Sequence, residues 1–133
     1  MKIVSLLGSP RTAGNSATIA NHVLKIAGEL GAETRSFELN RLNYQGCQAC
    51  YACKTKLDRC VLKDDLSEVL AAVSEADAAV LASPVYYGDI TSQLKGFGET
   101  TLIRACGIGP GSTDVVPGHI LRQAEETARA LLA

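Results

Sequence analysis

The sequence predicts an α/β fold, a doubly wound parallel sheet of about four strands, from three observations. Short apolar runs alternate along the chain with stretches of helical periodicity. The first run, KIVSLL at 2–7, is nearly unbroken in its apolar character, as in a strand covered on both faces. It ends at Gly8 and leads into a polar, Gly-containing loop ahead of the first helix, where sheets of this kind bind ligands.

The elements follow in order. Ser16 is expected to cap a helix over 17–30, with Ile19, Val23, Ile26, Ala27 and Leu30 on one face and Gly31 as its stop. ETRSFEL at 33–39 alternates weakly and reads as a second strand. Residues 40–64 are loop-like, and a loop of that length in a compact domain is usually functional. Asp64 or Asp65 caps the next helix, whose core face is Leu66, Val69, Leu70 and Val73. DAAVLAS at 77–83 is the third strand and ends before Pro84. SPVYYGD is a loop, TSQLKGF a short helix, and TLIRAC at 101–106 a fourth strand. GIGPGSTDVVPG at 107–118 is a Gly-rich loop. After Pro117 the tail is helical, with Leu121, Ala124, Ala128 and Leu131 in register.

The 133 residues suffice for one domain and one core, with a cysteine-rich insertion at about 43–62. The net charge of -1 leaves no basic footprint for nucleic acid or an anionic membrane. No apolar stretch is long enough to span a bilayer. MKIVSLLGSPR carries a basic residue and an apolar run, but it closes in a Gly/Ser/Pro turn rather than a cleavage site, so a buried strand is expected and not a leader. A cytoplasmic location follows, where thiols stay reduced and clustered cysteines are ligands or redox groups. Cys106 stands apart and reads as a small buried hydrophobe.

The loop SPRTAGNSAT concentrates Ser9, Arg11, Asn15, Ser16 and Thr18 around the start of the first helix. Free N–H groups and the positive dipole end there favour an anion, and these side chains are donors for one phosphate. Gly14 lets the backbone turn closely. The loop lacks G-x-G-x-x-G and lacks the Gly-Lys-Ser/Thr of a Walker A loop. A monophosphate such as that of FMN fits better than a dinucleotide or ATP.

Cys47, Cys50, Cys53 and Cys60 follow the pattern C-x2-C-x2-C-x6-C. Four thiolates so close can converge on a [4Fe–4S] cluster. Structural zinc usually takes two separated pairs, so the third cysteine only three residues after the second suits a cluster better. Zinc ligation and plain or redox-active thiols stay open as alternatives. Lys54, Lys56 and Arg59 surround the cysteines, where they either offset cluster charge, meet an acidic partner, or simply solvate the loop. His22 and His119 lie far off in sequence and read as surface or packed residues. After the third strand, Ser83-Pro84-Val85-Tyr86-Tyr87-Gly88 would sit beside the phosphate loop at the switch point of the sheet. Its backbone and tyrosines are placed to line a flavin ring.

Taken together, GSPRTAGNSAT, the cysteine run, CVLKDDL, ADAAVLASPVYYGDITSQLKGF and the closing helix resemble the NADPH-dependent FMN reductase branch of the flavodoxin-like superfamily. The likeness is closest to its iron–sulfur flavoproteins and covers residues 1–97 best. It implies a flavodoxin-like sheet, with FMN held by the Ser9–Thr18 loop and by Pro84, Val85, Tyr86, Tyr87 and Gly88. It also implies a [4Fe–4S] cluster on Cys47, Cys50, Cys53 and Cys60. By comparison with the family pattern, the chain passes from LKGF almost directly to its final segment, shortening the sheet and omitting a third flavin-contacting loop.

The expected function is that of an FMN-binding redox protein passing electrons between FMN and a [4Fe–4S] cluster, with no protein acid or base in the chemistry. Two alternatives are an NAD(P)H-dependent FMN or quinone reductase without a cluster, and a non-enzymatic shortened flavodoxin-like subunit. Ferredoxin or NAD(P)H is the expected electron donor, and the resemblance implies a homodimer or homotetramer.

Overall fold

The computed structural model describes residues 1–57, 59–95 and 118–132, without the side chains of Lys54 and Ile120. Three parallel strands form its sheet, in the order β2-β1-β3. β1 spans Lys2–Leu7, β2 Glu33–Glu38 and β3 Ala78–Ala82. β1 pairs on one side with β2, Lys2 opposite Glu33 through Leu7 opposite Glu38. On its other side β1 pairs with β3, Ile3 opposite Ala78 through Leu7 opposite Ala82. The central place of β1 explains its sequence: every residue from Ile3 to Leu7 is buried, because both faces are covered.

The two faces carry different layers. Val4 and Leu6 pack with Phe37, Leu39, Val69 and Leu94. Val69 belongs to α3, Leu66–Glu75. Ile3 packs with Leu24 and Ala27 of α1, Asn15–Glu29, and Leu7 packs with Ala17 and Ala20 of the same helix. α4, Gly118–Leu132, lies against α1 through Ala124 and Ala128, which meet Val23. The small residues Ala124 and Ala128 of α4 leave room for the branched Val23, Ile19 and Ile26 of α1. His22 and Glu125 join the two at 2.9 Å. Among the described residues, no helix is long and apolar enough to cross a membrane.

Several expectations are corrected. Ser16 does not cap α1; the helix starts at Asn15 with Gly14 as its N-cap, in extended conformation and without a side-chain cap bond. β2 ends at Glu38, and Leu39–Arg41 form a 3-10 turn whose Leu39 drops into the core. The loop after it contains a short helix, α2, Ala52–Thr55. Leu70 on α3 is only half-buried, while Val69 carries the core contact. At TSQLKGF the described part is a turn, with Leu94 N donating to Thr91 O at 3.0 Å, rather than a helix. β3 spans Ala78–Ala82, shorter than the expected 77–83, and is half-buried along its length. The expected strand at 101–106, the Gly-rich loop at 107–118 up to Pro117, and Cys106 lie outside the described residues.

Candidate cofactor site

The strand order places the topological switch between β1 and β3, and two loops leave the carboxyl ends of those strands side by side. Gly8 N donates to Ala82 O at 2.8 Å, so the loops start from tied strand ends.

The first loop is shaped from within. Ser9, buried, accepts a hydrogen bond from Arg11 N at 3.1 Å. Gly14 N donates to Arg11 O at 3.2 Å, which curls the backbone back toward the strand end. A Cβ on Gly14 would stand 3.2 Å from Arg11 Cβ and 3.5 Å from Ser9 Oγ, a tight fit that glycine avoids. Thr18 donates from its hydroxyl to Gly14 O at 3.1 Å. Of the five side chains expected to hold a phosphate, Ser9 and Thr18 therefore form part of the loop's own frame. Among the described residues, Arg11, Asn15 and Ser16 have no intramolecular side-chain partner. They stand at the uncapped start of a 15-residue helix, where backbone N–H groups and the dipole favour an anion. Free donors, an uncapped helix and a glycine-tight turn fit a phosphate group.

The second loop carries nested closures. Ser83 Oγ accepts from Thr91 N at 2.9 Å and donates to Pro84 O at 2.8 Å. Inside that span, Tyr86 N donates to Asp89 O at 2.9 Å and Asp89 N to Tyr86 O at 3.1 Å. Tyr87 and Gly88 between them have φ of 52° and 82°, the positive pair of a type I′ turn. Asp89 binds Lys95 at 2.6 Å. Hydrogen bonds from Lys95 and from Ile90 N, with the ammonium charge, hold the Asp89 carboxyl below its ordinary range.

Between the loops lies an open cleft of about 750 Å³, walled by Pro10 from the first and by Val85, Tyr86, Tyr87 and residues 89–93 and 95 from the second. That size and position suit a cofactor ring. Val85, Tyr86 and Tyr87 reach the cleft as expected, whereas Pro84 and Gly88 act on backbone shape and do not form its wall. Pro10 and the 89–95 segment were not singled out in the sequence. Chain reversal at the type I′ turn brings in the 89–95 segment, and the signal for it was Tyr-Gly followed by Asp; Pro10 arrives with the loop after β1.

A second cleft of about 310 Å³ adjoins the first, with Ser92 and Gln93 on the walls of both. Tyr44 and Gly46 line it from the start of the cysteine loop. Tyr44 donates from its hydroxyl to Gln93 O at 3.3 Å, and Gln93 donates from its amide to Asn40 Oδ1 at 3.1 Å. Burial, with the nearby Asp64 charge, raises the Tyr44 phenol above its ordinary 10.0.

The cysteine loop is organised at its neck. Asn43 N donates to Asp65 Oδ2 at 2.7 Å and Gln45 N to Asp64 Oδ2 at 3.0 Å. Asp64 Oδ1 also accepts from Leu66 N at 3.1 Å, at the start of α3. Beyond the neck, Ala49 and Tyr51 have φ of 52° and 58°. Cys47, Cys50, Cys53 and Cys60 are all exposed and unpaired by disulfides, and Cys47 Sγ accepts from Ala49 N at 3.4 Å. Among the described residues, no three His, Cys, Asp or Glu side chains converge as a metal site. In kind the four thiols fit a thiolate-bound centre; in position they do not close around one point. Lys56, Arg59 and Lys63 beside them are exposed. His22 is engaged with Glu125, and His119 is exposed.

The parallel sheet, the anion loop after its first strand and the cleft at its switch point define a flavodoxin-like α/β protein. The chain belongs to the NADPH-dependent FMN reductase family, whose sequence model matches residues 1–101. Among curated relatives it is 39% identical over 97 residues to an iron-sulfur flavoprotein of Archaeoglobus fulgidus, covering 73% of this chain and 44% of the relative. An iron-sulfur flavoprotein of Methanosarcina thermophila is 37% identical over 105 residues, covering 78% and 54%. One of Methanocaldococcus jannaschii is 37% identical over 95 residues, covering 71% and 49%. The chain thus spans about half the length of the curated relatives it matches. A solved flavone reductase superposes with a TM-score of 0.52 at 24% identity, over 69% of this chain and 26% of that one, a likeness of fold.

Proposed function

We propose that the protein is an FMN-binding oxidoreductase in which electrons pass between FMN and a [4Fe–4S] cluster. The observation that carries the flavin half is the cleft at the β1/β3 switch, walled by Pro10 from the loop after β1 and by Val85, Tyr86 and Tyr87 from the loop after β3. Arg11, Asn15 and Ser16, with the free N–H groups of α1, would hold the phosphate. Val85, Tyr86 and Tyr87 would orient the ring, and Ser9 and Thr18 keep the loop in shape. Membership of an FMN reductase family supports this assignment.

The cluster half is supported by four exposed thiols on one clasped loop and by relatives called iron-sulfur flavoproteins. Cys47, Cys50, Cys53 and Cys60 would be its ligands. FMN, when bound, exchanges one or two electrons and a cluster exchanges one, so together they join a two-electron donor to one-electron carriers. NAD(P)H or ferredoxin is the proposed donor, a homodimer or homotetramer the proposed assembly, and the cytoplasm the proposed location. A second reading is a flavin reductase without a cluster, in which the four exposed cysteines are plain or redox-active thiols or zinc ligands.

Iron, zinc and extracted FMN per chain, measured on protein purified without oxygen, test these readings. About four irons with one FMN is the expected result. FMN without iron selects the second reading, and folded protein that binds no added FMN overturns both.

A further inference from the structure

The segment from Ser83 to Thr91 is held in shape far more closely than an exposed loop requires. Its outer closure is the Ser83 hydroxyl, which receives the Thr91 N–H and gives its proton to the Pro84 carbonyl. Its inner closure is the reciprocal Tyr86–Asp89 backbone pair. Thr91 itself is buried, and it is wedged against the end of β1. A Cβ on Gly8 would fall 2.5 Å from Thr91 Oγ1 and 2.8 Å from Leu94 Cδ1, so no side chain fits between strand end and loop base. The base is thus closed on itself by the Ser83 hydroxyl and packed on the sheet where Thr91 and Leu94 meet Gly8.

The tip is the opposite. Val85 and Tyr87 are 72% and 109% exposed, and Tyr86 and Ile90 are also exposed. A backbone fixed at its base, presenting unpartnered apolar side chains to a cleft, is preorganised for something outside the chain. Resting on the flavin reading above, we propose that Ser83 is a positioning residue for the flavin ring. Its hydroxyl closes the loop so that Val85, Tyr86 and Tyr87 face the ring, while Ser83 itself touches no cofactor. The phosphate end is independent of it, since the Arg11–Ser16 loop is framed by Ser9, Gly14 and Thr18.

The experiment compares FMN binding to the full chain, Ser83→Ala, Ser83→Thr and Arg11→Ala. Affinity is read by fluorescence quenching, and the visible absorption and circular-dichroism bands of bound FMN are read at saturation. Ser83→Ala should weaken affinity roughly five- to tenfold, the effect of one lost hydrogen bond, and should shift the bands of the bound flavin. Ser83→Thr, which keeps the hydroxyl, should restore both. Arg11→Ala should weaken affinity but leave the bands in place. A melting temperature for each protein keeps all titrations well below unfolding, so an affinity change is not a loss of folded chain. Ser83→Ala with unchanged affinity overturns the inference, as does weakened affinity with unshifted bands, or failure of Ser83→Thr to restore them. Parent protein that binds no FMN overturns the flavin reading itself, and is seen before any variant is made.

Discussion

The loop after β1 and the loop between Asn43 and Asp65 are both expected to hold a cofactor, and they are built in opposite ways. The first has its frame complete in the free chain. Ser9, Gly14 and Thr18 bond within it, and among the described residues the side chains of Arg11, Asn15 and Ser16 have no partner. The second is fixed at its neck and by the Tyr44 hydroxyl on Gln93 O, while its four thiols stand exposed and apart. A phosphate bound there would meet a site already made by strand and helix. A metal centre on the cysteines has to draw its own ligands together, so its binding free energy is also the ordering free energy of that loop.

The sharpest test of this contrast is Cys50→Ser. It should lower iron from about four per chain to near zero and leave FMN affinity intact, because Cys50 lies neither in the loop after β1 nor on the wall of the first cleft. Full iron in the variant would refute the ligand set, and parallel loss of FMN would refute the independence of the loops. Next in size is the pair Arg11→Ala and Ser16→Ala. Each hydrogen bond to a charged phosphate is worth about 1.5–3 kcal/mol, so FMN affinity should fall at least tenfold, and less so at high salt. Unchanged quenching titrations would remove the phosphate from this loop.

The smallest effect probes the wall where the two regions meet. The folded state holds the Tyr44 phenol neutral above 10.0, through burial first and then Asp64. A raised folded value means its contribution is whole below the ordinary phenol range and is lost as pH rises through the folded one. Tyr44→Phe should therefore show a shallower alkaline decline in urea stability than the parent. Equal slopes would show that Tyr44 is not buried against Gln93 as described.

What was legible in the sequence divides along the same line. β1, α1, α3 and α4 were readable because each carries its own period, apolar in unbroken run or at helical spacing. The candidate phosphate loop stood out because its polar side chains are neighbours in sequence. The start of α1 was misplaced because Ser16 looks like a cap, whereas the extended backbone falls at Gly14. The roles of Asp64 and Asp65 were only half legible. Their acidity ahead of a helix suggested caps, but their oxygens also reach Gln45 and Asn43, 19 and 22 residues back. No local pattern encodes such a bond. The base of the second loop was hidden for the same reason, since Gly8 and Thr91 meet only once the sheet exists.

The closure at Asn43 and Asp65 has a bearing on how the chain tolerates change. With the neck held by backbone and carboxylate, what lies beyond it is an appendix to the sheet rather than a part of it. The entropic cost of such an appendix grows only with the logarithm of its length. Segments longer, shorter or free of cysteine can be exchanged there while β2 still delivers Leu39 to the core and α3 still presents Val69. The fold offers a socket, and the same sheet can serve a chain with a metal centre or one without.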